Sequence, residues 1–246
     1  MSGTPTGAAR HAGWLPAIGA AAILLPGIGQ GLWDPWETHY AEVARRIAVD
    51  GDWVTLRWGS PDSGPAEARH DFLFFSKPAL TFWLVAASFH VFGVSEAAAR
   101  LPIALLAAAG IVGVFFYLRR IAGFRAALLA AAAMLGAPLY AMLGRHAMTD
   151  IPFVAPMTVG TLAFAAVLLD PRTSPNHSYV GYLCLGAATL AKGLLGFLLP
   201  GASLLVLLLI MTDYSFLRDR RRLRRLAIGC GAVVGAALAI GWSLGG

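Results

Sequence analysis

Charge is what this chain has least of. Only 13% of its 246 residues are Asp, Glu, Lys or Arg, against about a quarter in an ordinary soluble domain. So few charges cannot dress a water-surrounded globule of this size. Cysteine is nearly absent too: Cys184 and Cys230 are the two, each inside an apolar run. That count and setting exclude a disulfide framework and a cysteine-built metal site. Strict apolar–polar alternation is missing, which excludes a membrane barrel. No small-residue cleavage site follows the first apolar block, so it reads as a retained helix.

What is present is apolar. Hydrophobic residues make up 58% of the chain, in blocks near the ~17–25 residues that cross a bilayer. The fold class is therefore an all-α polytopic membrane protein. The net charge of +6 comes from basic residues at helix ends, mainly Arg218–Arg225. That pattern marks a cytoplasmic boundary beside anionic lipid, and no nucleic-acid partner is expected.

The pattern predicts about seven spans in one domain, 1–246: Trp14–Leu32, Leu101–Leu118, Ala126–Leu143, Pro152–Leu169, Tyr179–Ala191, Leu194–Met211 and Leu226–Leu244. One long stretch is not simply apolar, Trp33 to Pro78. It opens a large first loop, 33–100, bearing interfacial helices. Asp34, Pro35 and Glu37 read as N-cap, N1 and N3 of a helix running to Asp50 and stopping at Gly51. Trp36, Tyr40, Val43, Ala44 and Ile47 recur at helical spacing, so this helix is expected to rest on the membrane surface. Ala79–Phe92 is apolar but short, which suits an interfacial or re-entrant helix. If it does not span, Arg119, Arg120, Arg125, Arg172 and Arg218–Arg225 all fall on the cytoplasmic side, as the positive-inside rule demands. Asp34, Glu37, Lys77, Asp150 and Lys192 then share the extracytoplasmic face.

Charges at membrane depth are costly and are functional candidates by default. Asp34 and Glu37 suit a general base or ligands for a divalent ion; the alternative is a helix cap. Lys77 either holds a phosphate or snorkels to the headgroups. Arg145, His146 and Asp150 end a span; His146 and Asp150, four apart, are expected to share a helical face, as a structural pair or a metal site. Lys192, between two apolar helices, is a lipid anchor or a second phosphate contact. Lys77, Lys192, Arg145 and Arg100 together would form a positive rim around the carboxylates, suited to a lipid phosphate donor.

The ordered set Pro35–Arg45, Gly51–Val54, Phe75–Pro78, Ala99–Pro102, Thr149–Pro152 and Ala191–Gly193 resembles the N-terminal half of the GT-C membrane glycosyltransferases, specifically the protein O-mannosyltransferase-like and lipid A aminoarabinose transferase-like group. The resemblance covers essentially the whole chain. It implies a GT-C-like bundle in the bacterial inner membrane that takes a sugar from a polyprenyl-phosphate carrier on the extracytoplasmic side and transfers it to a lipid, protein or glycan acceptor. It implies site-lining roles for Glu37, Lys77, Asp150 and Lys192, with Tyr40, His39 and His146 nearby. Two departures stand out. Trp36 occupies one position of the family's acidic pair, and Ser76 replaces a glutamate before the lysine. The base is then Asp34 or Glu37, with Asp150 positioning the acceptor or a divalent ion. Family members usually continue through further spans, so the chain reads as the N-terminal part of a longer architecture. A non-catalytic membrane subunit or lipid-binding fragment that keeps the scaffold is the alternative function. A transporter is disfavoured by the absence of an inverted repeat.

Overall fold

A computed structural model describes residues 14–33, 35–59 and 72–210. Asp34, the expected last span Leu226–Leu244, the Arg218–Arg225 cluster and Cys230 lie outside the described residues. The elements run α1 (Leu15–Leu24), α2 (Trp36–Asp50), β1 (Arg57–Trp58), β2 (Phe72–Leu73), α3 (Leu80–Phe92), α4 (Glu96–Ile121), α5 (Phe124–Gly136), α6 (Pro138–Leu143), α7 (Asp150–Leu169), α8 (His177–Lys192) and α9 (Leu195–Ile210). The strands form a two-stranded antiparallel ribbon with Arg57 opposite Leu73 and Trp58 opposite Phe72.

Two expected spans are shorter than their apolar blocks. Leu25-Pro26 ends α1 at Leu24, and turns follow to residue 30, with Gly27 at φ +78°. A proline cannot donate the next helical hydrogen bond. The expected Ala126–Leu143 helix is broken between α5 and α6, where Ala137 is extended (ψ 111°) ahead of Pro138; the residue before proline is pushed out of the helical region.

Length separates the helices. At about 1.5 Å per residue, the 26 residues of α4 and the 20 of α7 are long and apolar enough to cross a bilayer. The 13 residues of α3 are not. α4 and α7 approach closely through small residues: a Cβ on Gly110 would lie 2.8 Å from Ala155, and one on Gly113 2.6 Å from Val159. The apolar stripe of α2 is covered largely by protein. Tyr40, Val43, Ala44 and Ile47 pack with Phe82, Val85, Ala86 and Phe89 of α3, while Trp36 stays 59% exposed. Trp83 Nε1 donates to the Trp53 carbonyl at 2.7 Å, fastening the loop after α2 to α3.

Candidate active site

Glu37 does not sit in an N3 capping position. Pro35 precedes the helix at N-cap rather than N1, and Glu37 is wholly buried in the first turn. Its partner is Arg100 of α4, 4% exposed. Arg100 Nε donates to Oε1 at 2.6 Å and Nη2 to Oε2 at 2.7 Å. The remaining guanidinium hydrogens reach backbone carbonyls: Nη1 to Ile28 at 3.0 Å and Gln30 at 2.5 Å, Nη2 to Gly31 at 2.9 Å. All five donors of the guanidinium are thereby used. Glu37 also accepts from the backbone N–H groups of Trp33 and Ala147, each at 2.8 Å. The pair ties together the α1–α2 connection, α2, α4 and the turn before α7. Burial pushes the Glu37 carboxyl up, but hydrogen bonds from Arg100, Trp33 and Ala147 and the Arg100 charge outweigh it, leaving it below the ordinary glutamate range.

Asp150 and Lys192 form a different kind of pair. Asp150 stands in the first turn of α7 and Lys192 in the last turn of α8. Each charge occupies the helix end that favours its sign. Gly193, at φ +65°, turns the chain immediately after the lysine. Lys192 Nζ lies 2.7 Å from Asp150 Oδ1, and both side chains stay partly exposed, 24% and 35%. The ammonium also lies 5.5 Å from the Phe153 ring centre. Tyr40 belongs to this neighbourhood: its phenol is pushed above the usual range by burial and then by the Asp150 charge. Lys77 is half-buried, three residues before Leu80, which packs with Phe153 and Ala191, the neighbours of Asp150 and Lys192.

The expected positive rim is dispersed. Arg100 is engaged by Glu37, Lys192 by Asp150, and an Arg145 Nη2 hydrogen points to the Pro26 carbonyl. His146 does not share a helical face with Asp150, because α6 ends at Leu143 and His146 lies in the turn before α7. Its Nδ1 donates to the Met142 carbonyl at 2.6 Å, and its ring lies 5.1 Å from Trp33. His39 lines a different groove, about 340 Å³, with Trp36, Tyr40, Trp58, Phe74 and Phe75. Its ring is 4.6 Å from Trp58 and 5.3 Å from Phe74. Trp58 and Phe74 were not among the expected site residues; the density of aromatics in an otherwise polar loop was their signal. Among the described residues no three His, Cys, Asp or Glu side chains converge to hold a metal ion.

The family model for dolichyl-phosphate-mannose-protein mannosyltransferase matches residues 76–242. The undecaprenyl phosphate-alpha-4-amino-4-deoxy-L-arabinose arabinosyl transferase of Edwardsiella ictaluri is 28% identical over 198 residues, covering 78% of this chain and 34% of that protein. Its counterpart in Shewanella sediminis is 27% identical over 188 residues, covering 76% and 32%. Among solved structures, ArnT from Cupriavidus metallidurans in the apo state superposes with a TM-score of 0.79 at 26% identity, over 97% of this chain and 42% of that one. The same protein bound to undecaprenyl phosphate gives 0.79 at 28% identity, over 95% and 41%. The chain has the GT-C fold of its N-terminal half and spans about a third of the length of the curated relatives it matches.

Proposed function

Because the chain belongs to the dolichyl-phosphate-mannose-protein mannosyltransferase family, we propose that it carries part or all of a membrane glycosyltransferase site working from a polyprenyl-phosphate-linked sugar. The acceptor is a hydroxyl or phosphate on a lipid, protein or glycan, and the site faces the extracytoplasmic side of a bacterial inner membrane. A neighbouring fold that binds undecaprenyl phosphate supports the carrier class. The observation that carries the reading is the Asp150–Lys192 pair, half-exposed beside Tyr40 at the meeting of α7 and α8.

With a hydroxyl acceptor the reaction needs a base, and with either acceptor it needs positive charge for the leaving phosphate. Glu37 has both oxygens occupied by donors, so of the three candidate carboxylates Asp150 is taken as the base, with Asp34 as the second candidate. For a hydroxyl acceptor, Asp150 takes the proton as the acceptor oxygen bonds to the anomeric carbon. The bond from that carbon to the carrier phosphate breaks, and its electron pair leaves on the phosphate oxygen. Protonation of Asp150 releases Lys192, which turns to the developing phosphate charge together with Lys77. Tyr40, held protonated by its surroundings, donates a hydrogen bond and does not act as a base.

A second reading is a lipid-binding subunit that keeps the scaffold without turnover. Trp36 and Ser76, standing where the resemblance expects acids, favour it. One assay separates the two: purified chain, undecaprenyl-phosphate-linked radiolabelled sugar, and both carrier binding and label transfer measured. Transfer abolished by Asp150→Asn supports the enzyme. Carrier binding weakened by Lys77→Ala, with no transfer under any condition, supports the subunit. Transfer unchanged in Asp150→Asn and in the Asp34→Asn double variant sinks the assignment of the base.

A further inference from the structure

A cleft of about 410 Å³ lies beside the Glu37–Arg100 clamp and contains none of Tyr40, Lys77, Asp150 or Lys192. Its lining includes Gln30, Trp33, Ala141, Met142, Arg145 and His146, and no carboxylate among the described residues. Arg100 also reaches it, but that charge is matched by Glu37. Arg145 is different. It is half-buried, one Nη2 hydrogen serves the Pro26 carbonyl, and none of the described ion pairs includes it. A guanidinium at a cleft mouth without a counter-charge keeps its remaining donors available, and they suit a planar or tetrahedral oxyanion. His146 faces the same space with Nδ1 already committed to Met142, leaving Nε2.

The wall of the cleft is apolar and uncovered. Trp33 and Met142 of the lining are 62% and 42% exposed, and Leu139, next to the lining Pro138 in α6, is 65% exposed; α6 has no buried residue. The cleft thus pairs one unmatched cation and an amide with an apolar lip at the ends of α1 and α6. In the topology that keeps the arginine clusters cytoplasmic, this is headgroup level on the outer side.

We propose that this cleft binds the phosphate headgroup of an anionic membrane lipid, held on Arg145 with Gln30 and His146 beside it and with its acyl chains over Met142 and Leu139. The inference rests on the chain being embedded in a membrane, and it is independent of turnover. Native mass spectrometry of the purified chain tests it, with phosphatidylglycerol and phosphatidylcholine of matched acyl chains offered together. Wild type retains phosphatidylglycerol preferentially, and Arg145→Gln lowers that preference about tenfold, the scale of one charge-assisted hydrogen bond. Arg145→Lys keeps part of it. Since Arg145→Gln also loses the Pro26 contact, Ala141→Trp supplies a second route: it fills the cleft, leaves Arg145 in place and abolishes the preference. Equal retention by wild type and Ala141→Trp, or no preference in wild type, overturns the proposal. Displacement by millimolar inorganic phosphate overturns the lipid assignment in favour of a soluble phosphate. Sugar transfer is not read in this assay, so a failed transferase reading leaves its result unchanged.

Discussion

Glu37–Arg100 and Asp150–Lys192 meet at almost the same distance, 2.6 and 2.7 Å, yet their surroundings are opposite. The first is buried, and every guanidinium hydrogen has an acceptor. The second is half-open, shares one hydrogen bond, and sits at two helix ends that tolerate each charge alone. A carboxylate that four donors hold has no reason to take a proton from a substrate. One that a single lysine holds can trade that partner for another. Distance alone does not distinguish a clamp from a site; the number of alternative partners and access to solvent do.

The largest effect is expected at the clamp. Arg100→Leu leaves Glu37 buried and unpaired, and removing one partner of such a pair costs about 3–5 kcal/mol. The sharper test is the double variant Glu37→Leu with Arg100→Leu. Isolated buried ion pairs are often replaceable by apolar residues at little cost. Here the double variant strands the carbonyls of Ile28, Gln30 and Gly31 and the N–H groups of Trp33 and Ala147. It is expected to stay as poorly folded as the single variant by thermal melting in detergent. A double variant that melts near wild type would show that the pair is dispensable.

The open pair is expected to behave in the reverse way. Asp150→Asn loses transfer by about 10²–10⁴-fold, the usual contribution of a positioned base, while the melting temperature hardly moves. Lys192→Gln follows the same pattern with a smaller loss, because Lys77 remains. A large fall in melting temperature for either variant would make this pair a second clamp and remove the distinction.

Much of this was legible in the residues, and the failures have causes. The charged motifs at Lys77, Asp150 and Lys192 were visible because apolar surroundings make any charge conspicuous. The short helix before Gly93 was visible from its length, and α3 has that length. The break at Pro138 and the early end of α1 at Pro26 are local proline effects that a hydropathy reading smooths over. The partner of Glu37 was the deeper miss. Nothing in its local sequence says that Arg100, 63 residues away, will reach it; only the packing of α2 against α3 and α4 makes that pair. The same packing parts Arg145 and His146 from Asp150, although they lie within one short stretch of sequence.

Acid sharpens the contrast at intermediate strength. The Glu37 carboxyl is held below its ordinary value of 4.5 in the folded chain. A depressed folded pKa means that the unfolded chain binds the proton first. The clamp's contribution is therefore complete above about pH 4.5 and is lost as pH falls through the depressed folded value. Melting temperature in detergent is expected to hold steady down to that point and then fall. In Glu37→Gln this acid-dependent component disappears, leaving a lower and flatter profile.

The smallest expected effect tests whether Tyr40 belongs to the open site or only to the core beside it. Its ring is 8% exposed and meets Phe82 edge-on at 5.7 Å and Phe74 at 6.4 Å. Tyr40→Phe keeps that ring, so the packing of α2 on α3 is preserved and the melting temperature should be unchanged. What the variant removes is one hydroxyl close enough to feel the Asp150 charge. A neutral hydrogen bond is worth about 0.5–1.5 kcal/mol, which sets the loss at up to about tenfold in kcat/KM. Because the wild-type phenol titrates above its ordinary value, the loss should be constant across neutral pH. A loss that changes with pH between 6 and 8 would mean that Tyr40 modifies the titration of the base. No loss at all would return Tyr40 to the α2–α3 core and leave Asp150, Lys192 and Lys77 as the open site's described residues.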